Sequence, residues 1–326
     1  MLIVFHGENA ASFNGGFSDL LDLPADVIVL SDVLGNAGDR QAYAAADVVV
    51  GTKYDADLPR PERLRLFHVP GAGYDAVDLA ALPKSAVVCN CFGHEQAIAE
   101  YVMAALLSRH VPLIDADRRL RNRDWAYWAG APERAHGEIA GKTIGLLGFG
   151  HIGKAIAVRA KAFEMNVHVA NRSRITPSQL VDRAFTLDDL GEFWGTADFI
   201  VVSVPLTAET QGIVGADAFA AMRPNAVVLN VGRGPTIDEK ALYDALHGER
   251  IAGAIIDTWY RYPLPGQEEV LPSALPFHEL PNLIMTPHMS GWTHGTIRRR
   301  QRTIADNVMR RARGEACANV VRPSVP

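Results

Sequence analysis

The sequence predicts an α/β fold built from two doubly wound parallel sheets. Three observations carry that expectation: short β-branched runs alternate with helix-like segments, a glycine turn at residues 148–153 joins one such run to a helix, and that turn comes late in a chain of 326 residues. Strands that alternate with helices form βαβ units, because parallel strands need a crossover connection. A chain of this length, 48% hydrophobic with a mean hydropathy near zero, is expected to divide into two domains.

In the first hundred residues the strand candidates are Leu2 to Phe5, Val27 to Leu30, Val48 to Val50, Leu66 to Val69 and Ala86 to Cys89. Glu95 to Arg109 follows with apolar residues at helical spacing and strong helix formers throughout, which predicts a long helix. Residues 111–140 hold Trp125 and Trp128 among charges with no clear period. They read either as an oligomer contact, since aromatic residues are enriched in interface cores, or as intramolecular packing. From Lys142 the rhythm is regular: a strand at 143–147, a helix at 152–164, and strands at Val167 to Ala170, Phe199 to Val202, Ala226 to Leu229, Gly253 to Ile256 and Leu283 to Met285. The last thirty residues read as helical and Arg-rich, with no strand of their own.

The turn Gly148-Phe149-Gly150-His151-Ile152-Gly153 has the spacing of a dinucleotide fingerprint. The first glycine permits the bend, the second lets backbone approach a pyrophosphate, and the third lets helix and strand pack closely, with the helix N-terminus facing the phosphates. The residue about twenty positions further on selects the dinucleotide. An acid there would bond the ribose 2′-hydroxyl and repel a 2′-phosphate. Here the chain reads Asn171-Arg172-Ser173-Arg174, which removes the repulsion and supplies cationic and hydroxyl donors. NADP(H) is the expected cofactor, with NAD possible.

Ligands of such sheets lie beyond the carboxyl ends of the strands, so the loops there carry the remaining candidates. Val204, Pro205 and Thr210 follow one strand, and Val231 and Gly232 follow the next. All are candidate cofactor contacts. Arg233, between Gly232 and Gly234, projects a guanidinium suited to holding a carboxylate bidentately and polarising a carbonyl. His288, after the last strand, suits proton exchange with an alcohol or ketone near neutral pH.

Together these blocks resemble the D-isomer-specific 2-hydroxyacid dehydrogenases over nearly the whole chain. The resemblance rests on Pro70-Gly71-Ala72-Gly73-Tyr74-Asp75 with Val77-Asp78-Leu79, Ala99-Glu100-Tyr101-Val102, the glycine turn, Pro205-Leu206-Thr207, Gly232-Arg233-Gly234, Asp257, and Leu280-Pro281-Asn282 leading to Thr286-Pro287-His288. It implies a Rossmann cofactor domain (107–295) inserted into a discontinuous, flavodoxin-like substrate domain (1–106 and 296–326). It further implies that Arg233 anchors and polarises a 2-oxo acid, and that His288 protonates the forming alkoxide as hydride arrives from the nicotinamide. The backbone of Ala72 and Gly73 would cradle the substrate carboxylate, Asp257 would sit near the nicotinamide carboxamide, and the protein would be a homodimer formed largely through its cofactor domains. The reaction implied is reduction of a small 2-oxo acid to a D-2-hydroxy acid.

Three positions depart from the family pattern. Tyr262 stands where the family has the glutamate that pairs with the histidine. A carboxylate would favour imidazolium, whereas a neutral phenol orients the ring with far less charge stabilisation, so reduction is expected to favour lower pH than in glutamate-bearing relatives. His94 falls where formate-type relatives carry a substrate-facing asparagine, and reads either as a second histidine in the site or as a helix cap. Trp292 reads as a pocket wall, which with Trp259 and Tyr260 would suit a substrate with an apolar tail. Two alternatives stay open: a dehydrogenase of another substrate such as formate, and a dinucleotide-sensing protein that has lost turnover. A phosphite-type site would carry a lysine where this chain has Ala72.

The net charge of −5 gives no electrostatic footprint for nucleic acid or an anionic membrane, although the Arg298–Arg313 region is locally basic and reads as a solvated helix face. No window approaches a transmembrane length of uninterrupted apolar residues. Cys89, Cys91 and Cys317 show no zinc-ligand spacing and cannot all pair, so no metal is expected and a cytoplasmic location fits.

Overall fold

The computed structural model describes residues 1–264, 267 and 269–324, which divide into two compact units. One comprises Met1–His94 with Trp292–Pro326, and the other Glu95–Gly291. Both are α/β units with parallel sheets.

The first unit holds β1 (Leu2–His6), α1 (Glu8–Ala11), β2 (Asp26–Leu30), α2 (Asp39–Ala44), β3 (Val48–Gly51), β4 (Leu66–His68) and β5 (Val87–Cys89). These five strands are parallel, in the order β5-β4-β3-β1-β2. That is the flavodoxin-like order, with its switch point between β1 and β3. Ile3, Val4 and Phe5 are fully buried, as expected for a strand covered on both faces.

In the second unit, α3 (Glu95–His110) packs Ile98, Val102, Met103 and Leu106 into one cluster with Ile156, Ala157 and Ala160 of α5 (His151–Ala162). Between them lies α4 (Leu113–Arg121), with no buried residue and with ion pairs Arg119–Asp115 and Arg121–Asp117 one turn apart. The sheet is formed by β6 (Thr143–Leu147), β7 (Asn166–Asn171), β8 (Arg183–Thr186), β9 (Phe199–Val202), β10 (Val227–Asn230), β11 (Gly253–Ile256) and β12 (Leu283–Met285). Its order, β12-β11-β10-β9-β6-β7-β8, is all parallel and is that of a Rossmann sheet with one added strand. The remaining helices are α6 (Leu190–Trp194), α7 (Ala216–Ala221) and α8 (Glu239–His247), the last capped by Asp238 accepting from the Ala241 N–H.

The chain then returns to the first unit through α9 (His294–Arg313), whose Ile304, Ala305 and Val308 are buried against Ile3, Phe5 and Leu66. Here the expectation of a strandless C-terminus is corrected. β13 (Val320–Arg322) pairs antiparallel with the edge strand β5. Three residues are too short for a periodic signal, and the strand exists only because β5 offers an open edge. The long helix α3 also falls with the second unit, since its apolar face meets α5, whereas the expected boundary left most of it with the first. Trp125 and Trp128 are 60% and 58% exposed, so neither enters the core of the chain. Among the described residues no single helix is long and apolar enough to cross a membrane.

Candidate active site

In the second unit the turn after β6 shows a separate physical reason for each glycine. Gly148 takes a φ of +99°, a backbone conformation open to glycine. At Gly153 a Cβ would lie 2.3 Å from the Gly148 carbonyl oxygen, so α5 can meet the turn only without a side chain. At Gly150 a Cβ would meet nothing within 4 Å. The middle glycine is therefore not required by the unit's own packing, and the space it leaves suits the approach of a diphosphate; the residues present fit a dinucleotide. His151 and Ile152 begin α5 directly behind it.

Asn171 ends β7 with its side-chain amide fully engaged. Its Oδ1 accepts from the Phe149 N–H at 3.1 Å, and its Nδ2 donates to the Ser173 carbonyl at 2.9 Å. It ties the glycine turn to the loop beyond β7, where Arg172, Ser173 and Arg174 are all exposed. Arg172 lies near enough to Glu209 to help hold that carboxyl below its usual range, behind the larger effect of the Thr207 hydrogen bond. Thr210 is buried with its hydroxyl turned inward: it donates to the Pro205 carbonyl at 2.6 Å and accepts from the Thr207 N–H at 2.8 Å. It shapes the loop that carries Val204 and Pro205.

After β10 the backbone approaches its neighbours too closely for side chains on either side of Arg233. A Cβ at Gly232 would stand 2.8 Å from the Val204 oxygen, and one at Gly234 2.1 Å from the Trp259 oxygen. Asn230 is the brace: its Oδ1 accepts from the Gly232 N–H and its Nδ2 donates to the Arg233 carbonyl, both at 3.0 Å. The Thr236 hydroxyl donates to the same carbonyl at 2.6 Å. Arg233 and the neighbouring Val231 and Gly232 thus sit on a rigid turn, Arg233 being partly exposed with its Nη1 donating to the Gly232 carbonyl at 2.9 Å.

His288 has a φ of +59°, the left-handed region that non-glycine residues seldom occupy. Such a conformation costs about 1–3 kcal/mol and persists where its surroundings impose it. They do so from both sides. Thr286 is held through its side chain and carbonyl: its hydroxyl donates to Asp257 Oδ1 at 2.6 Å and lies 2.7 Å from the Tyr101 hydroxyl, and its carbonyl accepts from Trp259 Nε1 at 2.8 Å. Beyond the histidine, the N–H groups of Met289 and Ser290 donate to the two oxygens of Asp257, each at 2.9 Å. Asp257, expected beside the nicotinamide, is fully buried, and both its oxygens anchor this loop.

Tyr262 completes the arrangement. Its hydroxyl lies 3.0 Å from His288 Nδ1 and accepts from the Trp259 N–H at 3.1 Å. Burial pushes the phenol above its ordinary range, opposed by the Trp259 N–H and the Arg233 guanidinium. It therefore stays protonated near neutrality and can donate to Nδ1 or accept from it. Trp259 is buried, and Tyr260 stacks on Phe277 with its hydroxyl on the Ile237 carbonyl, so both belong to packing and not to a pocket surface.

The other expected substrate contacts belong to the first unit. Ala72 and Gly73 lie partly exposed on the loop after β4, and His94 is buried just ahead of α3. Trp292, 41% exposed, meets Phe13 edge-on at 5.7 Å. No cluster of metal-binding side chains occurs among the described residues.

The family description "D-isomer specific 2-hydroxyacid dehydrogenase, NAD binding domain" matches residues 102–290. The chain is 34% identical over 291 residues to a D-3-phosphoglycerate dehydrogenase of Methanocaldococcus jannaschii, covering 86% of this chain and 53% of that protein, about half its length. It is 31% identical to a glyoxylate/hydroxypyruvate reductase B of Pectobacterium carotovorum, covering 88% of this chain and 89% of the relative. Among solved structures, an NADPH-dependent glyoxylate/hydroxypyruvate reductase from Sinorhizobium meliloti in complex with NADP and malonate is similar over 98% of this chain and 96% of its own, with a TM-score of 0.75 at 27% identity. With its two parallel-sheet units, its three-glycine turn and its arginine and histidine loops, the chain belongs to the D-isomer-specific 2-hydroxyacid dehydrogenase family of oxidoreductases.

Proposed function

We propose that the protein reduces a small 2-oxo acid to a D-2-hydroxy acid with NADPH. The observation that carries this reading is the placement of Arg233 after β10 and His288 after β12, at the carboxyl edge of the sheet whose β6 leads into the three-glycine turn. When bound, the nicotinamide would supply the hydride. Arg233 would hold the substrate's carboxylate and draw charge from its 2-oxo group. His288 would give a proton to the alkoxide oxygen as charge develops there. Nδ1 faces the Tyr262 hydroxyl, and Nε2 would make that transfer. The family resemblance assigns the N–H groups of Ala72 and Gly73 to the substrate carboxylate as well.

The preference for NADPH rests on Arg172, Ser173 and Arg174, exposed beyond an uncharged Asn171, and the similar NADPH-dependent reductase, seen in complex with NADP, supports it. We further place the protein in the cytoplasm, from its cysteine usage, and in a homodimer. Leu113 and Ile114, 71% and 86% exposed, and the exposed Trp125 and Trp128 are large apolar side chains on the cofactor unit that burial against a second copy would cover.

The test follows reduced-nicotinamide absorbance with NADPH or NADH and a panel of glyoxylate, hydroxypyruvate, pyruvate and phenylpyruvate, using wild type, Arg233→Ala and His288→Ala. Turnover by wild type and its loss in both variants is the expected result. NADPH binding without turnover across the panel would favour a dinucleotide sensor instead. Light scattering of the native protein reads the dimer directly.

A further inference from the structure

Beyond the ends of β4 and β5 the two chains continue side by side. The Val69 N–H donates to the Cys89 carbonyl at 2.8 Å, and the Cys91 N–H to the Gly71 carbonyl at 3.0 Å. Between them the side chain of Asn90, 7% exposed, donates from Nδ2 to the Ala72 carbonyl at 2.7 Å. Two successive carbonyls of the loop are thus held from the β5 side.

A trans peptide points its C=O and its N–H in opposite directions. The Gly71 carbonyl shares a plane with the Ala72 N–H, and the Ala72 carbonyl with the Gly73 N–H. Anchoring both carbonyls toward β5 therefore aims both N–H groups away from it. Among the described residues neither N–H donates to another group. Close packing at Gly71 does not set this arrangement, since a Cβ there would meet nothing within 4 Å. Hydrogen bonds do. Adjacent backbone N–H groups directed to one side form a receptor for an anion.

We propose that Asn90 is a positioning residue for substrate recognition, orienting the Ala72–Gly73 peptide so that its N–H and that of Ala72 converge on the substrate carboxylate. This rests on the proposed reading that the loop binds that carboxylate. Of the two anchors, the Cys91 N–H is backbone and survives substitution. The Asn90 amide is the one a side chain supplies, and the Gly73 N–H depends on it.

Asn90→Asp tests this at nearly constant volume, because it replaces the donor with a carboxylate facing a carbonyl. Asn90→Ser retains a shorter donor. The readouts are kcat and KM for the 2-oxo acid that wild type reduces, the inhibition constant of oxalate, the NADPH dissociation constant and the melting temperature. The expected result for Asn90→Asp is a parallel rise of about tenfold in KM and in the oxalate constant, as for loss of one hydrogen bond to a charged group, with NADPH binding and melting temperature unchanged and kcat less affected. The serine variant should fall between. Unchanged KM and oxalate inhibition would overturn the proposal, and so would weakened NADPH binding or lowered melting temperature in step with KM, which would mark a general structural role. If wild type itself neither reduces a 2-oxo acid nor binds oxalate, the underlying reading has failed and the proposal falls with it.

Discussion

The Tyr262 hydroxyl stands 3.0 Å from His288 Nδ1 and at the same time accepts the Trp259 N–H at 3.1 Å. A phenol in that position can meet either protonation state of the ring, donating when Nδ1 is bare and accepting when it carries a proton. A carboxylate could only accept, but would add a full charge that favours imidazolium. Tyr262→Glu is accordingly expected to move the upper limb of the pH profile for reduction to higher pH. Tyr262→Phe, which removes one hydrogen bond of about 1 kcal/mol, should lower kcat by roughly fivefold with KM little changed. An identical pH profile for wild type and Tyr262→Glu would show that this residue does not govern the histidine.

The glycine turn separates folding from binding. Gly150→Ala should melt like wild type, because the new methyl meets nothing within 4 Å and the backbone angles suit any residue, yet bind NADPH at least about tenfold more weakly. Gly153→Ala should lose stability as well, its Cβ falling 2.3 Å from a backbone oxygen. Thermal melts and NADPH fluorescence titrations on the two variants distinguish them. Undiminished NADPH affinity in Gly150→Ala would place the diphosphate elsewhere.

Cofactor choice should reside in the exposed arginines after β7. The double variant Arg172→Ala, Arg174→Ala is expected to raise KM for NADPH by about ten- to a hundredfold, the range for lost charge-assisted bonds, while leaving KM for NADH nearly unchanged. The NADPH preference of wild type should also shrink as salt rises. Equal losses for both cofactors would remove these residues from discrimination.

Acid sensitivity should come from His68 in the first unit. The ring is completely buried, which pushes its pKa down to about 4 against the opposing bond from Nδ1 to the Val69 carbonyl, and Nε2 accepts from Asn307 Nδ2. A folded pKa below the unfolded value of 6.5 means that the unfolded chain binds the proton first as pH falls. The stability is complete above about 6.5 and is lost progressively down to about 4, an effect of about 3 kcal/mol. Urea melts of wild type and His68→Gln across that window should show a steeper slope for wild type. Parallel slopes would assign the acid sensitivity to other groups.

Much of this protein was legible in its sequence because the relevant signals are local. The buried strands of both sheets announce themselves as β-branched runs, and the three glycines, Arg233 and His288 follow strand ends at fixed spacing. Tyr262 was legible as a departure from a pattern. The role of Asn90 was not, because it acts through a bond to Ala72 that only folding makes, and the blocks holding Tyr101 and Thr286 did not reveal the chain of bonds from Tyr101 through Thr286 to Asp257.

By itself the sequence determined the α/β class and the two parallel sheets, since periodicity and turn composition depend on neighbours along the chain. Only the tertiary structure decided that β13 closes the edge of the first sheet, that Asp257 clamps the loop holding His288 in a left-handed conformation, and that the carbonyls of Gly71 and Ala72 turn toward β5. These are hydrogen bonds between segments far apart in sequence. Their geometry is set by how the strands pack, and no local pattern encodes it.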